Sequence, residues 1–379
     1  MNKCFTHLWR ILPPGDWPVG RIGWLPAALL VGWLVLAPSA PGQAVSPVLE
    51  PYAEQVERAI EGAFQYFVAT QNENGYFPGE YGGSAGVVSL VGMSFLAAGH
   101  TPGHGAYGEV VNRCLDYVLA QQNREGYIYA SEARSDRGMY SHHIATLFLA
   151  EVSGMVDPRR EEKVRGALAR AVRVIIAAQE VDKRSGHEGG WRYGPSVNDS
   201  DLSVSGWAIM ALRSARLNGA RVPDENIRRA IEYVLRMQHE NGGFGYQRPG
   251  QHRPSLTGLA ILCLALTGHH DGEPVERARR YLEDTYQRLA NDQFALYGVY
   301  YATQAAFQLG GRTWESVGDW LYRTYLPKQR DDGSWGADVG GRHGSERNTA
   351  VYNTALVVLS LTVPYRQLPI YQRDETVDE

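Results

Sequence analysis

The sequence predicts an all-α protein, an α6/α6 toroid in which six helical hairpins close into an outer and an inner ring. Three observations carry that prediction. A phrase of Gln, three residues, Gly, one residue and a large apolar side chain recurs at Gln71 (QNENGYF), Gln122 (QNREGYI), Gln238 (QHENGGF) and Gln329 (QRDDGSW). A fifth copy runs from Gln179 to Trp191 with a longer middle, QEVDKRSGHEGGW. The runs before the phrases are amphipathic: Ile227, Ile231, Val234 and Leu235 mark one face, and Arg228, Arg229, Glu232 and Arg236 the other. The runs after them, such as GVVSLVGMSFLAAG and LTGLAILCLALTG, are short, rich in small residues and apolar around most of the circumference. A helix of that kind is buried on all sides. Self-similarity at a fixed period marks a repeat architecture, and it decides which residues are scaffold.

Twelve helices follow in order. The outer ones are expected over 50–70, 107–121, 158–178, 224–237, 273–287 and 312–326, and their inner partners over 84–99, 140–154, 201–217, 255–267, 294–309 and 347–362. Pro158, Pro223 and Pro274 stand near the starts of three outer runs, where a missing N–H costs little. Gly75, Gly126, Gly242 and Gly333 fall where a helix ends on a left-handed residue. The glutamine amide is then placed to bond free carbonyls while the large side chain, Trp191 and Trp335 among them, packs back over the turn. The phrase therefore reads as a staple between an outer helix and its inner partner. The fifth pair has TYQRLANDQF instead, a degenerate copy.

The N-terminus has the form of a targeting segment. Lys3, Arg10 and Arg21 precede an apolar run at 24–37, and Gly42-Gln43-Ala44 suits a signal peptidase, so residues 1–44 are expected to be removed. The run is shorter than the ~20 residues of a spanning helix, which leaves an uncleaved anchor as the alternative. The expected product is exported, periplasmic or extracellular, with a toroid over 45–363, a tail over 364–379 and no transmembrane span. The chain carries a net charge of −4, and losing the basic leader makes it more acidic. A mildly acidic surface without a basic stripe argues against nucleic acid. Cys114 and Cys263 lie in apolar helical text and read as buried thiols.

The Gln-x3-Gly-x-Trp phrase on helical hairpins resembles the QW repeat of squalene and oxidosqualene cyclases, whose toroid is shared with protein prenyltransferase β-subunits. The likeness spans about residues 50–365, and in those families the repeat is structural. It implies that loops after the phrases deliver inner-helix N-termini to one rim of a central cavity. Candidate binding residues there are Tyr140, His142, Asp199, Arg253 and Asn348, with Tyr300 and Tyr301 further along an inner helix. Asp199-Ser200-Asp201-Leu202 resembles the D-x-D-D-T-A motif of squalene-hopene cyclases, whose middle Asp protonates a polyene. Asp201 takes that place, and Leu202 replaces the last acid. Asp201 also suits a helix N-cap, where the helix dipole favours the charged form. Prenyltransferases hold zinc with an Asp-x-Cys that this chain lacks, and neither His142 nor His143 has a second His four residues on, so neither metal nor cofactor is expected.

The expected function is binding of an apolar or mixed ligand (isoprenoid, lipid or glycan) or of an envelope protein. One alternative is an isoprenoid cyclase or transferase using Asp201 as acid. The other is a glycan lyase or hydrolase, since such enzymes also use (α/α)6 barrels, and fold alone cannot choose.

Overall fold

The structure is a computed structural model that describes residues 46–79, 81–130, 138–339 and 349–371. The leader and Asn348 lie outside them. Among the described residues there are twelve α-helices and no strand. The outer helices are α1 (Ala53–Thr70), α3 (Gly108–Ala120), α5 (Pro158–Glu180), α7 (Asp224–Arg236), α9 (Glu273–Thr285) and α11 (Gly311–Tyr325). The inner helices are α2 (Ala85–Ala97), α4 (Met139–Val152), α6 (Leu202–Leu217), α8 (Pro254–Leu266), α10 (Ala295–Leu309) and α12 (Ala350–Leu361). Each inner helix packs on the next, and α12 packs on α2, so the ring closes. Every residue of α2 is buried, as its composition requires. Small residues let these helices approach: a Cβ on Gly258 would sit 2.8 Å from the backbone nitrogen of Ala302 on α10.

The phrase fastens neighbours in a direction the sequence did not indicate. Each glutamine Nε2 donates to the carbonyl of its own glycine, four or, at Gln179, ten residues on. It also donates to a carbonyl on the next outer helix: Val110 for Gln71, Ala167 for Gln122, Asn226 for Gln179, Pro274 for Gln238 and Ala59 for Gln329. The staple thus joins outer helix to outer helix. Gly333, at φ +83°, shows why no side chain is tolerated, because a Cβ would lie 2.1 Å from the carbonyl oxygen of Gly62 on α1. The large side chain secures its own hairpin instead. The indole N–H of Trp191 donates to Ile175 at 2.7 Å, and that of Trp335 to Tyr325 at 2.7 Å.

The degenerate fifth junction uses other means. A 3-10 helix (Tyr286–Asn291) buries Leu289 where a phrase would stand. Thr313 of α11 donates to Glu283 of α9 at 2.6 Å, and a separate apolar cluster of Ala306, Trp314 and Val317 fills the seam.

After α12 the chain turns inward, and Leu368, Ile370 and Tyr371 are buried against α6 and its neighbours. No helix among the described residues is long and apolar enough to cross a membrane.

Candidate functional site

Asp201 caps α6. Its backbone is extended, and its Oδ1 accepts from the Val204 N–H at 2.9 Å and the Ser203 hydroxyl at 2.5 Å. The start of α6 is fixed from both sides, because Asp201 N–H donates to the Trp191 carbonyl and Leu202 N–H to that of Tyr246. Two phrase loops therefore hold one carboxyl in place. Its Oδ2 faces Arg192, whose Nη1 lies 2.9 Å away and also donates to the Tyr246 hydroxyl at 3.0 Å. The same guanidinium meets Asp199 at 3.3 Å and lies over the rings of Tyr193 and Tyr246.

The other side of Asp201 leads into the hub. Ser203, which donates to Asp201, receives the Tyr140 hydroxyl at 2.5 Å, and Tyr297 donates to the Ser203 carbonyl at 3.3 Å. Tyr297 meets Tyr301 edge-on at 4.7 Å, and Tyr301 meets Trp207 at 5.5 Å. The Tyr301 hydroxyl is buried without a hydrogen-bond partner. An orphaned polar atom in a native core calls for an explanation, of which a bound group is one.

Electrostatics at Asp201 pull both ways. The side chain has no exposure to solvent, and burial raises its pKa above the usual carboxylate range. Ser203, the Val204 N–H and Arg192 oppose that rise by stabilising the charged form. Burial also raises the Tyr140 and Tyr297 phenols well above their usual value, so both stay neutral donors.

The other expected contacts scatter. Asp199 joins the cluster through Arg192 and through Gln247 at 3.2 Å. Arg253 stands exposed before α8, where its backbone, not its side chain, carries the local bonds. Tyr300 stacks on Trp207 but turns its hydroxyl to Tyr371, away from Asp201. His142 has both ring nitrogens engaged within the protein. Its Nδ1 accepts from the Ile128 N–H at 3.1 Å, and Nε2 reaches the Ala171 carbonyl at 3.1 Å. It occupies a repeated position, since Ser205, Thr257 and Thr354 accept the corresponding N–H groups of Trp191, Phe244 and Trp335.

Arg192 and Tyr246 were not anticipated. Arg192 directly follows the Trp of one phrase, and Tyr246 stands two residues after Phe244 of the next. Side chains just past a phrase reach the rim, and that register was the available signal. Among the described residues no group of three or more His, Cys, Asp or Glu could hold a metal ion. Cys114 and Cys263 are buried free thiols.

No family model matches the chain. Two curated proteins do, both drimenyl diphosphate synthases. That of Streptantibioticus cattleyicolor is 25% identical over 238 residues, covering 61% of this chain and 41% of the relative. That of Streptomyces showdoensis is 29% identical over 196 residues, covering 52% and 33%. The chain thus spans less than half the length of the curated relatives it matches. Among solved structures, a type II terpene cyclase from Scytonema with geranylgeranyl dihydroxybenzoate bound as substrate aligns over 84% of this chain and all of that one, at TM-score 0.51 and 16% identity. A reducing-end xylose-releasing exo-oligoxylanase aligns over 87% of this chain and 97% of its own, at TM-score 0.54 and 12% identity. At those identities the structural likeness establishes the fold, and the sequence relatives supply the lineage. The closed double ring and the cyclase relatives together make this chain a member of the terpenoid cyclase-like α/α-toroid superfamily.

Proposed function

We propose that the chain takes an isoprenoid substrate at the Asp201 rim and starts its cyclisation by protonation, with Asp201 as the acid. One observation carries the reading. The residue matching the acid of the cyclase motif is fully buried, so its carboxyl is biased toward the protonated form. A cation formed on a hydrocarbon chain is stabilised by aromatic faces, which Tyr297, Tyr301 and Trp207 supply beside it. The two drimenyl diphosphate synthase relatives support an isoprenoid substrate class.

A second reading has its own observation. Arg192, Ser203 and the Val204 N–H all donate to Asp201, which favours an ionised anchor and a ring that binds an isoprenoid without converting it. A glycan hydrolase is less well supported, because Asp199 and Asp201 both engage Arg192 rather than standing free to face a sugar. The basic and apolar pattern of residues 1–44 supports an exported site of action, which N-terminal sequencing of protein from the cell envelope tests.

The deciding experiment incubates the purified protein with squalene, farnesyl diphosphate and geranylgeranyl diphosphate, and analyses extracts by gas chromatography and mass spectrometry. Cyclic products that vanish in Asp201→Asn establish the acid. Retention of an unconverted isoprenoid, equal in the wild type and Asp201→Asn, establishes the binding reading. Neither conversion nor retention overturns both.

A further inference from the structure

The opposite mouth of the ring holds a carboxylate that the proposed chemistry does not use. Glu151 lies in the last turn of α4, in the apolar run IATLFLAEVSG, with no exposure to solvent. Its Oε1 accepts from the hydroxyl of Ser214 on α6, and its Oε2 accepts from the backbone N–H of Ile370 at 3.2 Å. Ile370 belongs to a short 3-10 helix (Pro369–Tyr371) reached through the turn at Val363–Tyr365. Next to it the Tyr371 hydroxyl pairs with that of Tyr300 on α10. A small void runs along this segment, lined by Gln304, Leu359, Thr362, Leu368 and Tyr371. The Gln304 carbonyl oxygen there is buried without a hydrogen-bond partner. Both bonds that tie the segment into the hub end on side chains of inner helices, one of them an acid.

We infer that residues 368–371 form a strap that closes this mouth of the ring, and that Glu151 links its closure to the binding of a proton. With the strap seated, burial lifts the Glu151 pKa from 4.5 to about 7, against the lowering effects of Ser214, the Ile370 N–H and the charge of Arg213. The remaining ionisable groups around it keep their charge state across that range. Tyr300 and Tyr371 are phenols pushed upward by burial, Cys263 near Tyr371 is a buried thiol pushed upward as well, α2 contributes none, and Glu161 of α5 is held low and engages Ser153. Lifting the strap lets water reach Glu151 and returns it toward its ordinary pKa, so opening releases a proton. Closure is therefore favoured in mild acid and weakens as pH rises from 4.5 to about 7, then changes no further.

Hydrogen exchange of the full chain, read on peptides covering 363–371 between pH 5 and 8 and corrected for intrinsic rates, tests this. Protection should fall by somewhat under a hundredfold across that span, because pH 5 lies above the open-state pKa and samples only part of the factor that the two pKa values set. Glu151→Gln should flatten the profile. Ser214→Ala keeps the acid but removes a donor to its charged form, so the fall should move to higher pH. Protection that is independent of pH in the wild type, or an identical profile in Glu151→Gln, overturns the inference. If Glu151→Gln does not fold, an unmoved midpoint in Ser214→Ala does so instead.

Discussion

Gln329 Nε2 donates to the carbonyl oxygen of Ala59 at 2.7 Å, across 270 residues of chain. The last phrase thus fastens to the first outer helix, which makes this hydrogen bond one of the contacts that close the outer ring. Replacing Gln329 by Ala leaves the carbonyls of Ala59 and Gly333 without that donor. Losing these two part-buried hydrogen bonds costs about 2 kcal/mol. Urea unfolding monitored by circular dichroism should show that loss with unchanged helix content.

Two glycines of similar conformation should respond differently to a methyl group. Gly219 has φ +80° and open space where a side chain would stand, whereas at Gly333 the Cβ collides with the carbonyl of Gly62. Gly219→Ala should cost only the left-handed backbone strain, about 1 kcal/mol. Gly333→Ala adds the displacement of α1 from α11 and should lower stability at least twice as much. Equal losses in thermal denaturation would show that the close approach is unimportant.

Asp201 can be altered chemically while its cap is kept. Asparagine caps a helix about as well as aspartate, whereas alanine forfeits roughly 1–2 kcal/mol. Asp201→Asn should therefore stay near wild-type stability and Asp201→Ala should not. A strongly destabilised Asp201→Asn would mean that the ion pair with Arg192, more than the cap, holds the rim.

Arg192→Met removes the cation that lowers the Asp201 pKa. An acid must be protonated to act, so activity falls as pH rises through its pKa. Without Arg192 that alkaline limb should shift to higher pH in a pH–rate profile. A limb that stays in place removes Asp201 from the role of acid.

His142 and Glu151 give stability opposite pH dependences. Burial depresses the His142 pKa from 6.5 to about 4, so native His142 stays neutral where the unfolded chain takes a proton. Its contribution is present above 6.5 and is lost as pH falls toward 4, a change of about 3 kcal/mol. His143 is depressed as well. Glu151 is raised, so its contribution grows as pH falls from about 7 to 4.5. Between pH 6.5 and 4.5 the buried histidines and Glu151 pull the urea midpoints in opposite directions. Removing the acid in Glu151→Gln should therefore make the midpoint at pH 4.5 lower, relative to that at pH 6.5, than in the wild type.

The architecture was open to reading because its signals are local. A glutamine, a glycine shortly after it and a run with no polar face each mark a helix end or a buried helix wherever they stand. The partner of each glutamine was not legible, because the Val110, Ala167 and Ala59 carbonyls carry no side-chain signature. Arg192 escaped notice for a related reason, since it is embedded in a phrase that reads as scaffold. The inward turn of the tail was hidden by its prolines and charges, although Leu368, Ile370 and Tyr371 give it an apolar side. Glu151 was visible as a lone acid in an apolar run, but only the fold shows what it holds.

Because the first and last hairpins complete each other, no partial length of this chain can hide its apolar flanks. A ribosome that has released α2 must still supply α12 before the open edge of α2 is covered. Contacts that distant in sequence form late, and greasy edges left waiting invite aggregation. Such a protein has a vulnerable interval during its synthesis, and assistance by holding chaperones would act there, before the finished ring exists.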